Sequence, residues 1–212
     1  MDLKTKIKTP VFFAMVITIM LLGIAQLNAK SENQEDIVSG FHEALLKSMQ
    51  SSGELNYQER YDQLKDEVEQ RFDLEYMSKV VSGRHWRKAS EGTKENFVRT
   101  FSKLTISNYT SRFDSFSGEQ FETIGMIDGP KDSKIIRTNL IKSNGEKISL
   151  NYLVKESDDK WKIIDIFLEG KISELAIKKS EYSSVLKNQG FENLILAIEK
   201  KIRMIEEREK NH

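Results

Sequence analysis

The sequence predicts an α+β fold in which an antiparallel sheet of about four strands curls around or against helices. Three observations carry this. Apolar residues recur at helical spacing from Ile37 to Phe113, the period changes after Ser117-Gly118 to short runs that suit strands, and helical spacing returns after Gly170. The chain has 212 residues, 33 Lys plus Arg against 33 Asp plus Glu, two Pro and no Cys. That length supports one substantial core, and no internal repeat or low-complexity linker divides it. A formal charge of zero argues against a nucleic-acid binder. The lack of Cys excludes disulfides, thiolate metal sites and a cysteine nucleophile. Only His42, His85 and His212 are present, with no two at metal-ligand spacing, so no metal or other cofactor is expected.

The elements follow in order. Lys4, Lys6 and Lys8 precede Pro10, and Val11 to Ala25 is an uncharged apolar run followed by small residues. Residues 1–29 therefore read as a signal peptide, cleaved after Ala25 or Ala29, with an uncleaved inner-membrane anchor as the alternative. Removing them takes away three Lys and one Asp and leaves a charge of about minus two. Ile37, Val38, Phe41, Leu45, Leu46 and Met49 form one helical stripe, and Tyr57, Tyr61, Leu64, Val68 and Phe72 another, separated by Ser51-Ser52-Gly53. Asp73 caps a short helix carrying Leu74, Met77, Val80 and Val81, which Gly83 ends. Ser90 or Thr93 opens a longer helix with Phe97, Phe101, Leu104, Tyr109 and Phe113 near one face.

Four strands in a meander are predicted at residues 120–127, 134–142, 147–154 and 161–169. Asn144-Gly145 is a two-residue hairpin signal in which both positions need positive φ. In the third strand Ile148, Leu150, Tyr152 and Val154 share a face. Strict alternation in the fourth places Trp161, Ile163 and Phe167 on one side and Ile164, Ile166 and Leu168 on the other, so the strand needs cover on both faces. Ser173 caps a helix that Gly190 stops. A last helix carries Leu194, Ile195, Ile198, Ile202 and Ile205. The division is thus a signal peptide over 1–29, one domain over 30–205 and a charged tail over 206–212, read as a solvated end.

Catalytic constellations are largely missing: there is no Gly-x-Ser-x-Gly elbow, no phosphate-cradling Gly-rich loop and no His-Glu-x-x-His pair. Asp165 sits mid-strand among apolar residues, where it serves either as an acid–base or as a structural carboxylate satisfied by nearby donors; the structural role is favoured. Asn108-Tyr109-Thr110 matches a glycosylation sequon by chance. His85 and the cations Arg84, Arg87 and Lys88 are candidates for contact with an anion or a partner, with surface solvation the simpler reading.

A resemblance adds what these motifs do not. Gly83-Arg84-His85-Trp86-Arg87-Lys88-Ala89-Ser90, followed by Phe97, Phe101, Leu104 and Tyr109, resembles the periplasmic phospholipid-shuttle family MlaC, also called the toluene-tolerance auxiliary substrate-binding family. Asn151-Tyr152-Leu153, the run from Trp161 to Gly170, Lys179-Ser180 with Tyr182, and Gly190-Phe191 with Leu194 agree in order and approximate spacing. Ile172-Ser173-Glu174-Leu175-Ala176 stands nearer the hopanoid-associated HpnM branch. The resemblance implies a nuclear-transport-factor-like cone of sheet and helices enclosing an apolar cavity. It implies a non-enzymatic carrier of phospholipid, or of a hopanoid-type lipid, serving outer-membrane lipid asymmetry. The implied partners are an inner-membrane ABC transporter complex with a periplasmic lipid-binding ring and, as a further candidate, an outer-membrane acceptor complex. On this reading the acyl tails touch some of Phe101, Leu104, Tyr109, Phe113, Leu150, Tyr152, Ile163, Ile166 and Phe167, residues that a dry core would use equally well. Two other functions stay open: an enzyme or accessory factor of hopanoid or polyprenoid metabolism using Asp165, and a ligand-free periplasmic interaction module.

Overall fold

A computed structural model describes residues 33–210, so the signal-peptide reading of residues 1–29 lies outside the described residues. The helices begin where the sequence offers side-chain oxygens for the free N–H groups of a first turn. Asn33 and Asp36 cap α1 (Gln34–Gln50) reciprocally, and Asn56 and Glu59 do the same for α2 (Tyr57–Arg71). Asp73 accepts from the Tyr76 N–H to open α3 (Leu74–Ser82), and Ser90, not Thr93, caps α4 (Glu91–Arg112). Gly83 ends α3 with φ of 55°, and a 3-10 segment, Gly83–Lys88, carries the chain to α4. That 3-10 turn has no apolar period of its own and was not legible in the sequence.

The sheet is an antiparallel meander in the order β1 (Gln120–Asp128), β2 (Lys134–Ile141), β3 (Lys147–Ser157), β4 (Lys160–Leu168) and a two-residue β5 (Ile172–Ser173). Its turns differ from expectation in one respect. The loop at Asn144-Gly145 has three residues, with only Gly145 at positive φ and Lys142 paired to Glu146. The two-residue turn with both φ positive stands instead at Asp158-Asp159, closing Ser157 onto Lys160. Ser143 supplies the extra residue, which lets Gly145 alone absorb the left-handed step.

The fourth strand also departs from strict alternation. Val154 pairs with Ile163 and Leu153 with Asp165, so Ile164 is an extra, bulged residue. The bulge moves Ile163 and Ile166 to the same side, in the core, and leaves Phe167 on the opposite side beside Asn151 and Ser173. Ile164 faces away from the core yet is buried, lining a second pocket with Tyr76, Val80 and Leu153. The strand is thus covered on both faces, as its composition requires.

The last element, α5 (Glu174–Lys210), is two helices joined at Gly190, whose φ of 77° and ψ of −175° are not helical. Its halves, α5a before Gly190 and α5b after it, form a hairpin around α4. Phe97 of α4 meets Tyr182 and Phe191 near the bend, while Arg112 and Ser111 at the other end of α4 bond Glu174 and Glu209 at the two ends of the hairpin. The charged run from Glu206 is helical to Lys210, and although Glu207, Arg208 and Lys210 are exposed, the Glu209 side chain is turned inward against Arg60.

Candidate functional site

Seven of the nine residues expected to touch acyl tails come together between α4 and the inner face of the sheet. Phe101, Leu104 and Tyr109 descend from α4, and Leu150, Tyr152, Ile163 and Ile166 rise from β3 and β4; all are buried in one core. Phe113 is half-buried at the edge of this core, and Phe167 lies on the opposite face of β4. Phe41, at the centre, was read only as part of a helical stripe. Its ring sits edge-on to Phe72 at 4.9 Å, Tyr109 at 5.0 Å and Tyr152 at 6.3 Å. Such edge-to-face contacts stabilise by about 0.5–1.5 kcal/mol each beyond area burial. Burial also holds the Tyr109 and Tyr152 phenols above their ordinary pKa, so both stay neutral.

Beside Tyr109 and Ile166 this aromatic core holds a void of about 20 Å³. Met77 and Leu175 complete its apolar floor, and Asn108, Arg112, Glu174 and Lys178 form a polar rim. An Arg112 Nη1–H donates to Glu174 Oε1 at 3.0 Å, linking α4 to α5a over the void. Burial pushes the Lys178 amine below its ordinary pKa. Volume of this size suits about one water, whereas small-molecule pockets occupy roughly 300–1,000 Å³. An acyl chain fits there only if the elements around the void move apart.

A larger groove of about 780 Å³ runs between α2 and α4, over Trp86 and Val98. Nine of its thirteen lining residues are charged, which makes it a poor host for hydrocarbon. Lys94 lies 5.8 Å from the Trp86 ring centre and bonds Glu91 at 2.7 Å. Arg84, Arg87 and Lys88 are exposed on the 3-10 segment, and neither the void nor this groove includes them.

Asp165 acts as a local clamp. Its Oδ1 accepts from the backbone N–H groups of Ile166 (2.8 Å) and Leu175 (3.1 Å), and its Oδ2 accepts from the Ser173 hydroxyl (2.5 Å). Ser173 in turn caps α5a through the Ala176 N–H. Burial raises the carboxyl pKa, and these donors pull it partly back. With both oxygens engaged by donors of β4, β5 and α5a, the geometry fits the structural role. Replacing Asp165 by Ala strands the Leu175 and Ile166 donors and is expected to cost about 2–3 kcal/mol in urea unfolding, whereas Asn, which keeps one acceptor, costs about 1 kcal/mol.

His42 is a buried group that the sequence did not single out. Its ring stacks on Phe121 at 3.9 Å and meets Tyr152 edge-on at 5.1 Å; Nε2 has no hydrogen-bond partner among the described residues. Burial lowers its pKa from 6.5 to about 3. The unfolded chain therefore takes up a proton below about pH 6.5 that the folded chain refuses, and stability falls as pH drops from there towards 3. Urea unfolding at pH 4.5 is expected to show about 2–3 kcal/mol less from this group than at pH 7, and His42→Phe should abolish that share.

A family model described as MlaC protein matches residues 39–200, from the first turns of α1 into α5b. The chain belongs to the MlaC family. The match spans most of the core, the void and its rim, so the resemblance carried by Trp86 and the run from Trp161 to Gly170 extends over most of the described residues. This MlaC-family fold is similar to the solved structure of a phospholipid-binding protein from Ralstonia solanacearum in complex with a phospholipid. The two share 18% identity with a TM-score of 0.71, over 82% of this chain and 98% of that one. At that identity the likeness is one of fold. A search of curated proteins gave no significant match.

Proposed function

We propose that this MlaC-family protein is a periplasmic carrier that holds a phospholipid with its acyl tails between α4 and the inner sheet face. Membership of the family carries the reading, and the likeness to a fold solved with a phospholipid supports it. Physical chemistry agrees. Sequestering an acyl chain is worth about 0.8 kcal/mol per methylene, on the order of 12 kcal/mol for fifteen, which offsets separating helices from a packed aromatic core. Phe101, Leu104, Tyr109, Phe113, Leu150, Tyr152, Ile163 and Ile166 are the proposed tail contacts, and Phe167 contributes only from the outer face. Among the described residues no helix is long and apolar enough to cross a membrane. The chain supplies binding and not turnover, so directional transfer depends on a partner, for which an inner-membrane ABC transporter complex is the proposed candidate. Hopanoid-type cargo stays an alternative that lipid identification separates.

Native mass spectrometry of the exported protein, purified without detergent, tests the reading. The expected result is an adduct of phospholipid mass, released only by organic solvent. A bare polypeptide mass under gentle ionisation, with no lipid in the extract, would favour the ligand-free interaction module.

A further inference from the structure

We propose that the rim formed by Arg112, Lys178 and Asn108 binds the phosphodiester of the carried phospholipid, and that Glu174 occupies it as an internal counter-ion that the phosphate displaces. The assignment rests on the carriage reading and adds the group recognised and the residues that recognise it. Position is the first argument. The void under this rim has a floor of Tyr109, Ile166, Met77 and Leu175, so charged groups stand directly above the apolar core, in the order that headgroup and tails require.

Charge is the second. Arg112 and Lys178 against Glu174 leave a surplus of one positive charge, which a phosphodiester neutralises. The Arg112 side chain is 58% exposed and gives one N–H to Glu174, so its planar fork keeps donors that suit two phosphate oxygens. Lys178 is pushed towards its neutral form by burial first, and nearby Lys201 and Arg112 add to that push against Glu174 and Glu181. An arriving anion relieves that stress.

Mechanical linkage is the third. The Arg112–Glu174 ion pair ties α4 to α5a across the mouth of the void, at the opposite end of α4 from the Phe97–Tyr182 contact, so it stands where a headgroup would lie over tails in the core. Exchanging a carboxylate for a phosphate at Arg112 couples headgroup capture to release of the clasp. The phosphate then confines the headgroup to the mouth while the tails fill the opened core.

The test loads the delipidated full chain with dioleoylphosphatidylglycerol and, separately, with dioleoylglycerol, which has the same tails and no phosphate. We expect at least a tenfold preference for the phosphate-bearing lipid. Arg112→Gln combined with Lys178→Gln should bring the two lipids within about twofold, and Glu174→Gln should raise phosphatidylglycerol loading about threefold. That gain should be confined to phosphatidylglycerol, since apolar surface exposed by misfolding would raise dioleoylglycerol loading as well. Equal loading of both lipids by the natural chain, or a preference that survives the double variant, would overturn the phosphate assignment and leave carriage standing. If neither lipid loads, carriage itself fails and the assignment falls with it. Saturable binding of inorganic phosphate without any lipid preference would mark a free-anion site and equally overturn the proposal.

Discussion

Replacing Glu209 by alanine is expected to destabilise the fold by about 3–5 kcal/mol. Glu209 receives the Ser111 hydroxyl at 2.7 Å and lies 3.5 Å from Arg60, with the two ionic side chains 6% and 7% exposed. Arg60 also donates to the Thr110 carbonyl at 2.9 Å, so α2, α4 and the end of α5b meet at this one carboxylate. Its removal leaves a buried guanidinium without a counter-charge, which is far costlier than losing an exposed pair. The melting temperature should fall by about 6–20 °C for a domain of this size. Two controls define the mechanism. Arg208→Ala, whose side chain is more than half exposed, should cost under about 1 kcal/mol, and replacing Arg60 and Glu209 together by leucines should recover most of the loss. A loss below 1 kcal/mol for Glu209→Ala would show that the end of α5b is solvated after all.

Tyr109→Ala is the second large effect, and it separates packed core from tail lining. The ring touches Phe41, Phe72 and Phe113 and borders the small void, so truncation enlarges that void and is expected to cost about 3–5 kcal/mol in delipidated protein. A lipid tail lying along the same surface fills the space. Thermal unfolding of lipid-loaded protein should then show less than half of this loss, because the tail occupies in the variant the space that the ring leaves. Equal losses with and without lipid would place Tyr109 in the dry core.

The helices and the meander were legible because their signals are local: caps at Asp73, Ser90 and Ser173, apolar stripes at helical spacing, and breaks at Gly83 and Gly190. What escaped depends on partners far away in sequence. Glu209 reads as part of a solvated acidic run until α5b folds back along α4 and sets it against Arg60, 149 positions earlier. Phe167 was placed with Ile163 by strict alternation, and the bulge at Ile164, fixed by pairing with β3, reverses that assignment. The turn types at Asn144-Gly145 and Asp158-Asp159 changed roles because loop length is set by register, which the dipeptides do not encode. Likewise the core residues of the site were visible as apolar stripes, whereas its rim joins Arg112 to Glu174, 62 positions apart, and carried no local mark.

The most direct measurement is the set of nuclear Overhauser contacts between the acyl protons of a bound phospholipid and methyl groups of an otherwise deuterated protein. Tails held beneath α4 should contact the methyls of Ile163, Ile166 and Leu104. Contacts confined to Val98, in the charged groove between α2 and α4, would contradict the account.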